Sequence, residues 1–331
     1  MRKGFNPNKD KVLVSNSYFH QVVIPVYIPN EKDYFKDSFQ ILKLCLNSLF
    51  KTCHSNTFIT VVNNGSNSKI MSYLDELLSI HKIHELIHTT NVGKLNAILK
   101  GIAGHRFDLV TITDSDVLFL DNWQRETYKV FKAIPKSGVV SPVPSSKVLK
   151  QNTSNIIFEN IFSKRLRFLN IQNPKAMKMF AKSIGNNEFY KKVHLNKALT
   201  IEIENVRAII GAGHFVATYR GSILNKKSQN FSKYSLGGDS ETELLDKPSV
   251  NLGLWRLSTA NNYAYHLGNV KEDWMCEFSE DQTIDKNYKV IIRPKLKEIK
   301  VSSFNVIFKK IVFNKLILNR FIWECFLRYK G

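Results

Sequence analysis

The chain has 331 residues, of which 43% are hydrophobic and 23% are charged, as in an ordinary globular protein. Forty-eight Lys and Arg residues against 28 Asp and Glu residues give a formal charge of +20, which predicts attraction to a polyanion. No run of about 18 apolar residues suggests a membrane span, and the N-terminus lacks the apolar core of a signal peptide. The four cysteines form no Cys-x-x-Cys pair. We therefore expect a cytoplasmic protein without a zinc site.

The first 120 residues alternate between strand and helix patterns. The run QVVIPVYIPN from Gln21 predicts a strand, and apolar residues spaced three and four apart from Phe39 to Leu49 predict a helix. TFITVVNNGSN, HELIHTTNVG and FDLVTITDSDVLF predict further strands, and SKIMSYLDELLSIH and KLNAILKGIAGH predict the helices between them. This alternation is typical of a parallel sheet with helices on both faces, so we predict an α/β fold.

The second half has a looser pattern. SGVVSPVPSS predicts a strand and a loop, residues 155–182 suggest a basic helix, and residues 199–268 mix strands and loops. We expect this half to build a substrate cleft.

Two carboxylates end the strand pattern in TITDSDVLFL. Asp114 and Asp116 stand two apart, so in an extended chain they face the same side. In open α/β sheets ligands bind beyond the carboxyl ends of the strands, which is where this pair falls. Mn²⁺ and Mg²⁺ prefer oxygen ligands and are often held by one or two carboxylates together with substrate phosphates. The pair therefore predicts a site for a divalent cation, although ordinary turns also produce Asp-x-Asp.

The order IPVYIPN, VVNNGSN, TTNVGKLNAILKG and TDSDVLF, between Val22 and Leu120, resembles the nucleotide-binding half of family 2 and related inverting glycosyltransferases. The resemblance implies the glycosyltransferase A fold: a mixed, mostly parallel central sheet with helices on both faces, here with a C-terminal helical extension. It implies a set of nucleotide-sugar-binding residues, namely Pro25, Val26, Tyr27, Asn63, Asn64, Gly93, Lys94, Asp114, Ser115, Asp116, Gly213 and His214. The family's turn usually carries aspartates where this chain has Asn63 and Asn64, and both amides could equally serve the turn itself.

Weaker matches in the second half imply the remaining roles. GAGHFVATYRG resembles the segment beside the donor sugar, and SLGGDSETELLDK resembles the segment that supplies the catalytic base, first Asp239 and second Glu241. Related enzymes often add a late histidine to the metal shell, which would be His266 beside Asp114 and Asp116. Alternatively, the acidic residues of SLGGDSETELLDK could simply begin a helix, where the helix dipole favours them. His266 could equally be a packed or surface histidine without a metal.

The predicted organisation is a catalytic domain over residues 1–270, with a nucleotide-binding half at about 20–120 and an acceptor half at 121–270, followed by a basic extension at 271–331. The predicted reaction is inverting transfer of a sugar from a nucleotide-diphosphate donor to a cell-surface glycan or lipid-linked acceptor. We predict UDP as the donor nucleotide and Mn²⁺ or Mg²⁺ as the cofactor. The alternatives are a non-catalytic nucleotide-sugar-binding module and a sugar nucleotidyltransferase. The latter should carry a Gly-rich basic loop after its first strand, which IPVYIPNEKDYF lacks.

The C-terminal extension holds much of the positive charge. From Lys286 onwards there are twelve Lys and Arg residues against Glu298 and Glu324. The segment from Val301 predicts an amphipathic helix, with Trp323 among its apolar residues, that could lie in an anionic headgroup layer at the inner face of the plasma membrane. It could equally pack on its own domain or on a second subunit. Without a base-reading module, nucleic-acid binding is not expected.

Overall fold

The computed structural model describes residues 4–12, 17–224, 231–280, 293–299 and 302–331, with the backbone alone at 278–280. The strands in these ranges are β1 (His20–Val26), β2 (Thr57–Asn64), β3 (Glu85–Thr89), β4 (Leu109–Thr113), β5 (Val117–Phe119), β6 (Ser137–Ser141), β7 (Leu166–Asn170), β8 (Lys197–Ile203), β9 (Val206–Ile210), β10 (Val216–Arg220), β11 (Trp255–Thr259) and β12 (Ala264–His266). The α-helices are α1 (Ser38–Thr52), α2 (Ser68–Ser79), α3 (Lys94–Ile102), α4 (Trp123–Ala133), α5 (Ser154–Asn160), α6 (Pro174–Ser183), α7 (Lys192–Asn196), α8 (Gly221–Leu224), α9 (Lys247–Asn251), α10 (Asp273–Glu280), α11 (Ser303–Val312) and α12 (Arg320–Lys330). Short 3₁₀ turns occur at Asp33–Phe35 and Ser146–Val148, and π-helical turns at Thr242–Asp246 and Phe313–Ile317.

One large sheet runs through both halves of the chain, in the order β3-β2-β1-β4-β10-β6-β11-β9-β8-β7. The first four strands are parallel, β10 is antiparallel to both its neighbours, and β6 and β11 are parallel. Strands β9, β8 and β7 complete it with antiparallel pairs. Because only β10, β9 and β7 run against the other strands, the prediction of a mixed, mostly parallel sheet is confirmed.

Helices cover both faces of the first half, as predicted. Val22 and Ile24 of β1 pack with Leu42 of α1, whereas Val23, between them in sequence, packs with Ile98 of α3 on the other face. Successive side chains of a strand point to opposite faces, so a continuous apolar run such as VVIPV requires a cover on each side.

The predicted helix over residues 155–182 is wrong in its middle. Helices α5 and α6 occupy its ends, but β7 separates them and pairs with β8 from Leu166↔Ile201 to Asn170↔Lys197. The partner strand lies about thirty residues away in sequence, and local periodicity does not report such pairing.

The C-terminal helices pack on the same molecule. Phe313, Trp323 and Phe326 are buried in a hydrophobic cluster that also includes Phe131 of α4 and Leu199 of β8. Parts of the predicted extension, residues 281–292 and 300–301, lie outside the described ranges. None of the helices in the described ranges has both the length and the hydropathy needed to cross a bilayer.

Candidate active site

The carboxyl ends of β1, β2 and β4 meet at one edge of the sheet, beside a cleft of about 540 Å³. Parallel strands deliver their C-terminal loops to the same edge, so the loops predicted to bind ligand converge there. Seven predicted nucleotide-sugar residues line the cleft: Pro25, Tyr27, Asn64, Lys94, Asp114, Ser115 and Asp116. The other lining residues are Ile28, Tyr34, Phe35, Ser38, Ile41, Asn91, Ser235, Leu236, Gly268 and Asn269.

The three predicted metal ligands come together at this edge and form what we call the open cluster: Asp114, Asp116 and His266. One ligand atom from each lies within 4.8 Å of the others. Asp114 follows β4 directly, and Asp116 immediately precedes β5. Strand β12 pairs antiparallel with β5 so that His266 lies opposite Val117, and the Leu267 N–H donates to the Asp116 carbonyl over 2.7 Å. This short ladder brings a histidine distant in sequence to the carboxylate pair.

The open cluster has the donor set and an unsatisfied oxygen that fit a divalent cation. Asp116 Oδ1 is buried without a hydrogen-bond partner, and such an oxygen is costly unless a ligand satisfies it. Burial raises the pKa of Asp116 to about 6, against the opposing effect of His266. His266 Nδ1 is hydrogen-bonded to Ser183 Oγ over 2.9 Å, while its Nε2 lies 3.4 Å from Asp116 Oδ2. Carboxylates and an imidazole held in this way are common ligands of divalent metals.

Lys94 lies between this cluster and a second acidic side chain. Its Nζ is 2.6 Å from Asp114 Oδ1 and 3.3 Å from Glu241 Oε1. Burial alone would lower the pKa of Lys94, but these two carboxylates outweigh it and hold the pKa above its ordinary value. Lys94, with 20% of its side chain exposed, is therefore a fixed cation at the cleft.

The segment from Phe231 to Ser240, which we call the cover segment, closes over the start of α3. The Lys94 N–H donates to the Ser235 carbonyl over 2.9 Å. Gly93 has a φ of +86°, and a Cβ at Gly93 would approach the Tyr234 carbonyl to 2.8 Å, so this contact requires glycine. Asp239 lies in the cover segment with an exposed side chain and a φ of +59°.

Glu241 leads into a chain of paired charges that we call the closed cluster: His214, Asp246 and Arg256. His214 Nδ1 is 3.5 Å from Glu241 Oε2, and its Nε2 is 2.9 Å from Asp246 Oδ1. Arg256 Nη2 lies 2.6 Å from the same Asp246 oxygen, with only 1% of the Arg256 side chain exposed. The buried Asp246 thus fixes His214, which in turn contacts Glu241.

The two predicted asparagines serve the turn after β2. Asn63 Oδ1 accepts from the Ser66 N–H over 2.9 Å, and Asn64 Oδ1 accepts from the Val92 N–H over 2.9 Å. Asn64 still lines the cleft, whereas the side chain of Asn63 lies outside the lining.

Four other predicted residues, Val26, Gly93, Gly213 and His214, also lie outside the lining. The side chain of Val26 is fully buried in the core with α1, because β1 alternates its side chains between two covered faces. Gly213 lies near Ser145, whose Oγ would be 3.4 Å from a Cβ added at the glycine. Any contact of these residues with a donor remains a prediction.

The closed cluster contains the functional candidates that sequence reasoning missed. Asp246 is the last residue of the acidic segment DSETELLD, in which the family resemblance indicates only Asp239 and Glu241, as candidate catalytic bases. Arg256 stands inside the otherwise uncharged strand β11. A charge within a buried strand signals a buried partner, but the sequence does not say which one.

Residues 21–193 match the family described as Glycosyl transferase family 2, and no curated protein matches the chain. Among solved structures, the mannosyltransferase PcManGT from Pyrobaculum calidifontis, in complex with GDP-Man and Mn²⁺, shows 13% identity and a TM-score of 0.41. S. aureus TarS 1–349, in complex with UDP-GlcNAc, shows 14% identity and a TM-score of 0.42. These matches cover 74% and 78% of this chain, and this chain spans 55% and 60% of those chains.

Together with the mixed sheet, the family match confirms the predicted glycosyltransferase A fold. Since residues 21–193 are more than half of the 331, the chain belongs to glycosyl transferase family 2, a family of glycosyltransferases.

Proposed function

We propose that this protein transfers a sugar, with inversion, from a nucleotide diphosphate donor to a cell-surface glycan or lipid-linked acceptor, and that the donor nucleotide is UDP. Family membership supports sugar transfer, and the observation that carries the proposal is the open cluster at the edge of the cleft. The acceptor classes and the UDP base follow from the resemblance of the sequence motifs.

Asp114, Asp116 and His266 would hold Mn²⁺ or Mg²⁺. Such an ion supplies Lewis-acid stabilisation of the negative charge that develops on the departing diphosphate. Lys94, a cation 2.6 Å from Asp114 Oδ1, adds positive charge at the same place. Tyr27 and Asn64 line the cleft nearby and would contact the nucleoside.

Glu241 is the better placed of the two predicted bases. In an inverting transfer the acceptor oxygen attacks the anomeric carbon while the bond to the diphosphate breaks, and a base takes the acceptor's hydroxyl proton. Glu241 contacts Lys94, which lines the cleft, and is positioned by His214. Asp239 lies exposed in the cover segment. We therefore assign the proton transfer to Glu241, with Asp239 as the alternative.

The test is a panel of nucleotide sugars incubated with the purified protein and Mn²⁺, Mg²⁺ or a chelator. We expect one nucleotide sugar to raise the melting temperature only with metal, because a ligand that binds the native state stabilises it. We also expect metal-dependent release of the nucleoside diphosphate, and a product whose anomeric configuration is opposite to that of the donor. Stabilisation without turnover would favour a non-catalytic binding module, and a nucleoside triphosphate substrate would favour a nucleotidyltransferase.

We propose that the protein works at the cytoplasmic side of the membrane, where nucleotide sugars and lipid-linked acceptors could meet. Support comes from the +20 charge of the chain. Fractionation of cells at low and high salt would test this location, with release from membranes at high salt as the expected result.

A further inference from the structure

Helix α11 carries apolar residues on two opposite sides. Val306 of α11 is buried against the domain, and so is Phe313, the first residue after α11. Phe304, Ile307, Phe308 and Ile311 follow the spacing i, i+3, i+4, i+7 and are 75%, 58%, 50% and 49% exposed. That spacing gathers them into one stripe, which we call the outer face of α11.

We propose that the outer face of α11 inserts into the headgroup layer of an anionic lipid surface. A contiguous apolar stripe on a helix surface marks an interaction site, and an amphipathic helix of this kind lies in the membrane interface with its apolar side down. The proposal goes beyond the transfer reaction, because the outer face contributes no residue to the cleft lining.

The charges around the stripe favour lipid over another protein as the occupant. Lys310 and Lys315 are exposed, and no carboxylate of the described residues pairs with either. The one acidic residue between 302 and 331 is Glu324, which is paired with Arg320. Anionic headgroups complement such cations, whereas a second copy docked through the same stripe would bring like charges together.

The other side of the C-terminal segment holds the outer face in place. Lys309 Nζ pairs with Glu159 over 2.6 Å, and Trp323 and Phe326 are buried in the core of the domain. Because α11 is already folded on its own protein, lipid binding would not have to order it, and less affinity is lost to conformational entropy. Trp323, which the sequence suggested as a membrane anchor, is engaged in this packing.

Co-sedimentation of the full chain with vesicles tests the proposal. We expect binding to phosphatidylcholine vesicles that contain phosphatidylglycerol, and little binding to phosphatidylcholine alone. Phe304→Gln with Ile307→Gln, and separately Lys310→Glu with Lys315→Glu, should each weaken binding at least about tenfold. The matched controls change exposed residues elsewhere: Ile80→Gln with Val193→Gln, and Lys175→Glu with Lys178→Glu. The controls should bind as the unaltered chain does.

Equal binding to both vesicle types, or unaltered binding by the variant that carries Phe304→Gln with Ile307→Gln, would overturn the proposal. A dimer in solution that Phe304→Gln with Ile307→Gln dissociates, without vesicle binding, would assign the outer face to a second copy instead. Circular dichroism and donor hydrolysis should be unchanged in every variant, so that loss of lipid binding is separated from loss of folding or of the proposed transfer.

Discussion

The open and closed clusters lie on either side of Lys94 and Glu241, and they differ in how their charges are balanced. In the closed cluster, Asp246 is met by Arg256 and His214, with both carboxylate oxygens engaged. In the open cluster, Asp116 keeps one buried oxygen without a partner. Arg256 Nε of the closed cluster is also buried without a partner, so the contrast concerns the two carboxylates. A fully engaged carboxylate such as Asp246 supports the local structure, whereas an unsatisfied carboxylate oxygen beside a cleft is one that a ligand could satisfy. The two clusters should therefore respond differently when a carboxylate is neutralised.

Asp116→Asn should give the largest effect, on function and not on stability. Losing the carboxylate removes a metal ligand, so calorimetry should show no manganese-dependent donor binding, and transfer should fall by roughly 10²–10³-fold. The free energy of unfolding should not decrease, since the amide removes the charge of a partly buried side chain whose buried oxygen lacks a partner. Asp75→Asn, on the exposed surface of α2, is the control. Unchanged metal-dependent affinity in Asp116→Asn would remove this residue from the site.

Glu241→Gln should reduce the rate of transfer by about 10²–10⁴-fold, the usual contribution of a general base, with little change in donor affinity. Asp239→Asn is the matched comparison from the same segment and should retain most activity. Single-turnover rates at saturating donor, with donor affinity measured separately, distinguish the two. The reverse ranking of the variants would transfer the role to Asp239.

Asp246→Asn should act mainly on stability. It leaves the Arg256 guanidinium, 1% exposed, without its counter-charge, and breaking a buried ion pair in this way costs about 3–5 kcal/mol. Glu243→Gln lies in the same turn with an exposed side chain paired to Lys247, and it should cost less than about 0.5 kcal/mol. Urea unfolding of both variants gives the comparison. Equal stabilities would mean that the closed cluster does not support the fold.

Ser183→Ala should give the smallest effect. Ser183 Oγ holds His266 Nδ1 at 2.9 Å, and loss of such an orienting contact typically weakens metal affinity about tenfold. Ser79→Ala is a close control, because Ser183 and Ser79 each end a helix and donate to the carbonyl three residues earlier, at Phe180 and Glu76 respectively. Manganese titration of both variants would measure the difference. If both bind metal as the unaltered protein does, Ser183 does not position His266.

Much of the nucleotide-binding half could be predicted from sequence. The strands ending at Val26, Asn64 and Thr113 and the helices between them follow from apolar runs and helical spacing. Asp114 and Asp116 follow from their place after a buried strand, and His266 from the family resemblance. The ladder between β5 and β12 that brings His266 to them could not be predicted, because three-residue strands carry too little pattern to identify a distant partner.

The choice between the two acidic candidates also needed the tertiary structure. Asp239 and Glu241 stand two residues apart in one acidic segment, and nothing local separates them. In the folded chain Glu241 lies 3.3 Å from Lys94 Nζ, whereas Asp239 has a left-handed backbone and an exposed side chain in the cover segment.

By itself, the sequence determined the alternation of strands and helices, the carboxylate pair after β4 and the basic, apolar character of the C-terminal helices. These depend on residue type and short-range spacing, which a chain carries wherever it folds. The tertiary structure decided which side of each element meets which neighbour: Trp323 lies inside and Phe304 outside, and Asp246 rather than an exposed acid meets Arg256. The C-terminal helices carry apolar residues on more than one side, and the chain offers several acidic residues as partners for Arg256. Local sequence therefore does not select among them, and only the packing of the whole chain around its core does.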